Sequence, residues 1–226
     1  MACFAVAPVA DMHSKLRITE IFYSLQGESR TCGLPTVFIR LTGCPLRCHY
    51  CDTSYAFSGG VQRTLEDILT EVASFGASHV CVTGGEPLAQ PDCLHLLRHL
   101  ADAGYQVSLE TSGALDVSAV DARISRVLDL KTPDSGEMTR NRYDNLRHLT
   151  LQDQIKFVIC SRADYEWAVG CIHQYRLSEL VGELLFSPAY GLIEPSLLAD
   201  WILADRLPVR FQLQLHKLLW QDARGR

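Results

Sequence analysis

Three cysteines lie within eight residues, in the segment CPLRCHYC at positions 44–51. An odd number of thiols in so short a loop cannot all be paired as disulfides, whereas three thiolates can wrap one metal centre. A four-iron cluster held by three thiolates keeps one iron without a protein ligand, and an open coordination position marks a catalytic metal site. Cys44, Cys48 and Cys51 therefore predict a 4Fe–4S cluster that takes part in chemistry.

The same spacing leaves two alternatives open. One is a structural zinc site, with Cys32 or His49 as the fourth ligand, and the other is a set of unligated thiols. An iron–sulfur protein purified without air is brown and absorbs near about 400 nm. Colour therefore separates the cluster from zinc.

The composition predicts a reduced, cytoplasmic enzyme. The 226 residues suffice for one substantial core, and a hydrophobic share of 47% excludes a disordered chain. Nine cysteines without a secretory signal favour thiols and a metal site over a disulfide framework. No apolar run approaches the roughly 20 residues of a membrane span. A net charge of −5 argues against broad contact with nucleic acid.

From residue 13 onwards short apolar runs alternate with amphipathic stretches, which predicts one α/β domain over 13–226 with a mainly parallel sheet. Residues 1–12 are predicted to be a flexible extension. Thr64 is expected to cap the first helix and Gly104 to follow the second. Strands are predicted at 17–23, 37–41, 79–83, 106–110, 127–130, 154–159, 183–187 and 209–215, and helices at 65–75, 91–103, 162–175 and 195–204.

Nearly every later strand ends in polar or glycine residues. The ends read TGGEP at 83–87, ETSG at 110–113, KTP at 131–133, SP at 187–188 and QLHK at 214–217. In parallel α/β folds the carboxyl ends of the strands face the active site. One such end is ordinary turn chemistry, but five together predict an active site at this face.

The GGEP turn follows a predicted strand. Its two glycines allow the backbone to approach a ligand closely, and Glu86 can accept a hydrogen bond from an ammonium group. Taken alone, the string is better explained by an ordinary βα turn.

Together, the cysteine spacing, Tyr50 before the third cysteine and the GGEP turn resemble the radical S-adenosylmethionine (SAM) enzymes. The resemblance implies a partial, modified TIM-like barrel, a 4Fe–4S cluster on the three cysteines and SAM chelated to the fourth iron. In that superfamily one electron from the cluster cleaves SAM to methionine and a 5′-deoxyadenosyl radical. The cofactor-binding residues implied are Tyr50, Gly84, Gly85, Glu86, Thr111, Ser112, Lys131 and Ser187.

A narrower resemblance covers most of the chain. FYSLQGE at 22–28, GLP at 33–35, FIRL at 38–41, CDT at 51–53, KFV at 156–158 and the strand ends above are similar to the 7-carboxy-7-deazaguanine synthases. Those enzymes convert 6-carboxy-5,6,7,8-tetrahydropterin to 7-carboxy-7-deazaguanine with loss of ammonia, a step towards queuosine and other deazapurines. The resemblance implies a Mg²⁺-dependent carbon–nitrogen lyase, a homodimer, and an electron donor of the flavodoxin or ferredoxin type.

The family resemblance also implies a substrate site. Arg40 offers a planar fork of donors for a carboxylate, and an ionised Glu28 could accept from the pterin amidine edge. His216 could bind the substrate or transfer a proton. Glu28, Arg40 and His216 are the implied catalytic residues, and the implied substrate-binding residues are Leu25, Gln26, Gly27, Glu28, Arg40, Gly84 and His216.

Thr53 is the implied Mg²⁺ ligand, because a hydroxyl is a hard oxygen ligand. Each assignment has an ordinary alternative: a salt-bridging Arg40, a solvated Glu28, a satisfied barrel His216, or a Thr53 that caps a turn. Three positions depart from the family pattern, namely Ser29, Pro45 and Ala89. None removes a ligand or a charge, so they concern fine geometry.

A competing enzyme class is the small activases that make a glycyl radical on a partner protein. Such activases would not supply the QGE and QLHK matches at 26–28 and 214–217. A zinc-binding protein without catalysis is the third hypothesis.

Overall fold

The computed structural model describes residues 14–221 and 223–226, so the predicted extension at 1–12 lies outside the described residues. Nine strands form the sheet within these ranges: β1 (Lys15–Leu25), β2 (Pro35–Leu41), β3 (Val61–Thr64), β4 (His79–Gly84), β5 (Gln106–Thr111), β6 (Ser125–Asp129), β7 (Gln154–Ile159), β8 (Glu183–Pro188) and β9 (Arg210–Phe211). The α-helices are α1 (Leu65–Ser74), α2 (Cys93–Asp102), α3 (Arg162–Tyr175), α4 (Leu177–Leu180), α5 (Pro195–Asp205) and α6 (Leu215–Trp220). In the same ranges, no helix combines the length and the apolarity needed to cross a membrane.

The strands form one open sheet in the order β3-β1-β2-β4-β5-β6-β7-β8-β9. From β2 to β9 every neighbouring pair is parallel, whereas β1 is antiparallel to both β2 and β3. The sheet ends at β3 and β9 and does not close on itself. It is the predicted partial barrel, and it sets the carboxyl ends of β4 to β8 side by side.

Apolar side chains of the sheet and the helices form a continuous core. Val37, Ile39 and Leu41 alternate along β2, so they share one face of the sheet, and all three are fully buried. Leu65 and Ile68 of α1 are equally buried in the same core. This core fixes the strands, and thereby the loops that follow them.

Two predicted helix boundaries are confirmed. The Thr64 hydroxyl accepts a hydrogen bond from the Asp67 amide at 3.1 Å and so caps α1. Gly104 follows α2 with φ of +87°, a conformation that favours glycine.

The predicted strand at 209–215 is wrong beyond its first residues. β9 contains only Arg210–Phe211, and His216 lies in the short helix α6 rather than on a strand. The chain leaves the sheet because the Gln212 side chain bonds the backbone of Ser29 at 2.8 and 2.9 Å, and because the Leu215 amide donates to the Gly27 carbonyl at 3.0 Å. The segment after β9 thus closes against the loop that follows β1.

The start of the chain also differs from the prediction. β1 is longer than 17–23, and the edge strand β3 was not predicted. β3 has no buried residue, so it leaves no hydrophobic signal in the sequence. The register of β1 against β2 shifts between Ile18 and Glu20, which marks a β-bulge.

Candidate active site

A cavity of about 310 Å³ lies at the ends of the parallel strands. Every predicted site residue except Glu86 and Ser187 lines it: Leu25, Gln26, Gly27, Glu28, Arg40, Cys44, Cys48, Tyr50, Cys51, Thr53, Gly84, Gly85, Thr111, Ser112, Lys131 and His216. The fold therefore brings together residues that are almost 200 positions apart in the sequence.

The cysteine loop is held in place by its neighbours on the strand ends. The backbone amide of His49 donates to the Ser135 carbonyl at 3.0 Å, and the Arg47 amide donates to Glu137 at 2.6 Å. Cys44, Cys48 and Cys51 are free, half-buried thiols. The loop thus presents all three sulfurs to one cavity.

The structure does not assemble the alternative zinc site. The His49 imidazole lies 3.1 Å from the Asp134 carbonyl, and the Cys32 thiol donates to the Gly27 carbonyl at 3.5 Å. In the part of the chain that the structure describes, no three His, Cys, Asp or Glu side chains are arranged to hold a single metal ion.

The chemistry of the donor set suits a cluster and its cofactor. Burial raises the pKa of the Cys48 thiol to about 11, so a bound cation would supply the charge that favours the thiolate. The hydroxyl of Tyr50 and Oδ1 of Asp129 are buried without a hydrogen-bond partner in the described residues, and both residues line the cavity. Buried polar atoms are normally satisfied, so these two atoms indicate a polar ligand.

Two glycines allow the turn after β4 to pass directly behind the cysteine loop. A Cβ atom on Gly84, whose φ is +155°, would lie 2.3 Å from the Leu41 carbonyl oxygen. A Cβ atom on Gly85 would lie 2.2 Å from the carbonyl oxygen of Gly43 and 2.9 Å from Cβ of Cys44. Larger side chains would push the turn and the first cysteine apart.

Glu86 lies behind the cavity surface. Its carboxylate is fully buried and accepts from the Leu88 amide at 3.0 Å, from the Thr111 hydroxyl at 2.9 and 3.0 Å, and from the amide and hydroxyl of Ser112 at 2.7 and 2.5 Å. Glu86 therefore fixes two residues that line the cavity. Ser187 is buried at the end of β8 and also lies outside the lining.

Glu28 is an ion-paired residue rather than a solvated one. One carboxylate oxygen accepts a hydrogen bond from the Lys156 ammonium group, and the other accepts one from the Gln214 side-chain amide at 2.8 Å. Burial opposes ionisation of Glu28, but the charge of Lys156 and the two hydrogen bonds lower its pKa overall. The carboxylate is therefore held ionised and in one orientation.

Arg40 is held from one side. Its Nε donates to Glu20 at 2.6 Å, and its guanidinium carbon lies 5.8 Å from the ring centroid of Phe22 and 5.9 Å from that of Tyr55. Its hydrogen bonds to the described residues use Nε alone. The two terminal nitrogens therefore remain for a ligand.

His216 lies directly over Gly27. A Cβ atom on Gly27 would lie 2.2 Å from Nδ1 of His216, so only glycine fits beneath the imidazole. Because Gly27 has no side chain, helix α6 can pack against it, and His216 lines the cavity although it is not on a strand.

Thr53 stands at the mouth of the cavity. Its hydroxyl donates to Oδ1 of Asp52 at 2.7 Å, while Oδ2 of Asp52 accepts from Gln214 at 3.4 Å. Thr53 also lines an adjoining recess of about 300 Å³, to which Arg224 and Arg226 contribute.

Sequence reasoning did not assign a role to several polar residues that line the cavity. They are Asp52, Glu110, Asp129, Lys156, Gln214 and Lys217. Most of them stood inside segments already compared with the family, such as KFV and QLHK, so the signal was present. The missing information was that the fold brings these polar side chains together at one cavity.

One departure from the family pattern has a structural explanation. Ser29 has φ of +64°, in the region that favours glycine. Its backbone is held by Gln212, and its hydroxyl lies 3.0 Å from that of Thr31. Serine is thus accommodated at some conformational cost.

Comparison with known proteins identifies the family. A family model described as the radical SAM superfamily matches residues 38–135, which include the three cysteines and the GGEP turn. The 7-carboxy-7-deazaguanine synthase of Chlorobaculum tepidum is 46% identical over 215 residues, covering 93% of this chain and 97% of that protein. The chain belongs to the 7-carboxy-7-deazaguanine synthase family. The synthase of Koribacter versatilis is 41% identical and covers 91% of this chain and 97% of its own length.

A solved structure agrees with the fold. The crystal structure of QueE from Escherichia coli superposes with a TM-score of 0.76 at 24% identity, covering 91% of this chain and 96% of that one. The chain is therefore a radical SAM protein with the partial-barrel fold of the synthase family.

Proposed function

We propose that this chain converts 6-carboxy-5,6,7,8-tetrahydropterin to 7-carboxy-7-deazaguanine with release of ammonia, as a Mg²⁺-dependent carbon–nitrogen lyase. One observation carries the proposal: a single cavity holds the three cysteines of the cluster motif together with Glu28, Arg40 and His216. Membership of the synthase family, over nearly the full length of its relatives, supports the same reaction.

The cofactor side of the cavity would hold the cluster and SAM. Cys44, Cys48 and Cys51 would bind the cluster, which when bound supplies the electron that cleaves SAM to methionine and the 5′-deoxyadenosyl radical. The hydroxyls of Thr111 and Ser112 are fixed by the buried carboxylate behind them. They offer polar atoms to SAM without having to reorganise, which lowers the entropic cost of binding.

Further contacts on this side match the cofactor's charges. The ammonium group of Lys131 lies 2.9 Å from Asp129 and 5.7 Å from the ring centroid of Tyr50. This fixed cation suits the SAM carboxylate. Gly84 and Gly85 line the same cavity, and Ser187, buried at the end of β8, would be a further cofactor contact.

The substrate side would bind a flat, carboxylated pterin. The free edge of Arg40 would take the carboxylate as a bidentate pair. Glu28, kept ionised by its partners, would accept from the pterin amidine edge, next to Gln26. The imidazole of His216 would contact the ring or move a proton at its edge. Fixed contacts of this kind hold the reacting C–H bond in place.

Thr53 would contribute its hydroxyl oxygen to Mg²⁺. The hydroxyl donates a hydrogen bond to Asp52, which leaves its oxygen lone pairs for a hard cation. Bound there, Mg²⁺ would orient the substrate oxygens.

The homodimer, the flavodoxin- or ferredoxin-type electron donor and the cytoplasmic location stay predictions from the resemblance and the composition. So does the assignment of 13–226 to one domain.

The reaction is tested by anaerobic reconstitution with iron and sulfide, followed by incubation with SAM, reductant, Mg²⁺ and the carboxytetrahydropterin. Mass spectrometry should detect 7-carboxy-7-deazaguanine and one equivalent of ammonia. Arg40→Ala is the control, because it should still cleave SAM slowly without substrate but form no product. A brown wild-type protein that cleaves SAM and leaves the pterin unchanged would refute the substrate assignment.

A further inference from the structure

A carboxylate on the neighbouring strand fixes the arginine of the substrate side. Glu20 of β1 lies opposite Arg40 of β2, immediately after the bulge in β1. Bulges re-aim side chains and are frequent beside active sites. Oε1 of Glu20 accepts from Nε of Arg40 at 2.6 Å and from the hydroxyl of Tyr55 at 2.7 Å.

Aromatic rings complete this arrangement. The guanidinium group of Arg40 lies within 6 Å of the centroids of both Phe22 and Tyr55. Tyr55 is itself contacted by the guanidinium group of Arg224, at 4.3 Å from the ring centroid. Arginine normally has many rotamers, and ordering them on binding costs affinity. Here Nε and the neighbouring rings restrict that freedom before any ligand arrives.

We propose that Glu20 and Tyr55 are positioning residues, which orient Arg40 so that its two terminal nitrogens meet the carboxylate of the substrate. The inference rests on the proposed function, because it takes a carboxylated pterin as the ligand. Neither residue lines the 310 Å³ cavity, so both act through Arg40.

Electrostatics alone predicts the opposite effect of Glu20. Its side chain is 19% exposed and that of Arg40 is 15% exposed, so the pair is poorly screened. As a competing anion, Glu20 would weaken the attraction between Arg40 and a substrate carboxylate. Substitution of Glu20 therefore distinguishes the two effects: affinity falls if Glu20 mainly orients Arg40, and it rises if the charge of Glu20 mainly repels the substrate carboxylate.

The test measures the dissociation constant of 6-carboxypterin, an oxidised analogue with the same carboxylate, by anaerobic calorimetry on the reconstituted protein with SAM bound. Glu20→Ala should weaken binding about three- to tenfold, the cost of ordering one long side chain. Glu20→Gln keeps an acceptor for Nε without the charge and should stay within about threefold of wild type. Tyr55→Phe should fall between the two.

A double-mutant cycle ties the effect to Arg40. In the Arg40→Ala background, Glu20→Ala should cause no further loss, and pterin without the carboxylate should bind wild type and Glu20→Ala equally. Glu71→Gln is the matched control, because it breaks the half-buried Glu71–Arg63 ion pair, and neither residue lines the cavity. It should leave the binding of 6-carboxypterin unchanged.

Three results would overturn the inference. The first is that Glu20→Ala binds 6-carboxypterin more tightly than wild type, and the second is that Glu20→Gln and Glu20→Ala lose affinity equally. The third is that Glu20→Ala lowers the affinity as much in the Arg40→Ala background as it does in wild type. Thermal melting of each variant checks that it folds. If wild type does not distinguish 6-carboxypterin from pterin, the proposed function fails instead, which keeps the two failures apart.

Discussion

The two sides of the cavity are built differently. On the cofactor side (the cysteine loop at 44–51, the turn at 84–87 and the end of β5) short motifs are held largely by backbone groups and by one buried carboxylate. On the substrate side (Glu28, Arg40 and His216 with their partners), Glu28 meets a charged partner 128 positions away and an amide partner 186 positions away. The first side depends on local geometry, and the second depends on the correct assembly of the whole barrel.

The difference has an energetic consequence. Removing one partner from a buried charged pair leaves an uncompensated charge, which costs about 3–5 kcal/mol. Removing a cluster ligand deletes a function but leaves no such charge. Variants of the cysteine ligands should therefore separate activity from stability, and variants of the Glu28–Lys156 pair should not.

The largest expected effect is on the cofactor side. Cys48→Ala should abolish reductive SAM cleavage, because two thiols cannot hold the cluster, and the thermal stability of the apoprotein should change little. Iron content, absorbance near about 400 nm and methionine release measure the loss. Cys32→Ala is the control and should stay brown. A brown, active Cys48→Ala protein would contradict the ligand set.

On the substrate side, Lys156→Met should impair both folding and turnover. The buried carboxylate of Glu28 would lose its cation, and the free energy of unfolding should fall by about 3–5 kcal/mol in urea denaturation. The double variant Lys156→Met/Glu28→Gln should regain most of the stability but not the activity. The exposed pair Arg162–Glu166 is the matched control, since Arg162→Met should cost less than about 1 kcal/mol. If Lys156→Met and Arg162→Met lowered the free energy of unfolding equally, the contrast between the two sides of the cavity would be wrong.

Glu86→Gln sharpens the description of the cofactor side. An amide cannot accept from the Thr111 hydroxyl and the Ser112 amide and hydroxyl as a carboxylate does, so both residues should shift. We expect SAM to bind about ten- to a hundredfold more weakly, while the cluster is retained. Equilibrium dialysis measures the affinity. Unchanged affinity would show that these contacts do not shape the SAM site.

Thr53→Ala should have a smaller and more selective effect. Loss of one hydroxyl ligand should shift the Mg²⁺ dependence of turnover to higher concentration by about tenfold, because water can replace a single oxygen ligand. SAM cleavage without substrate should be unaffected. The Thr53→Ser protein, which keeps the hydroxyl, should respond to Mg²⁺ as wild type does. An identical Mg²⁺ response in the alanine variant would remove Thr53 from the site.

The smallest predicted effect is on the stability of the protein at acidic pH. The pKa of Glu28 is lowered in the folded protein, so its contribution to stability is present above the unfolded value, about 4.3, and is lost as the pH falls through the folded pKa. Between pH 5 and pH 3 wild type should therefore lose more of its free energy of unfolding than Glu28→Gln does. Urea denaturation at several pH values measures this, and parallel curves would contradict it.

The same contrast explains how much could be predicted from sequence. Cys44, Cys48, Cys51 and the GGEP turn were predicted because their chemistry depends on spacing within one short segment. The parallel strands were predicted from their apolar runs. The prediction of a strand over the whole of 209–215 was wrong, because side-chain contacts of Gln212 with Ser29 compete with the sheet. The ion pairs of Glu20 with Arg40 and of Lys156 with Glu28 were not predicted, because an ion pair between distant residues has no sequence pattern.

The recess at the mouth of the cavity has a practical consequence. Arg226 lines both the cavity and the recess, and Arg224 rests on the ring of Tyr55. An affinity tag fused directly after residue 226 would therefore emerge beside the substrate site, where a polyhistidine sequence also competes for iron during reconstitution. Purification through a tag ahead of β1, or through one that a protease removes, keeps binding measurements free of this interference.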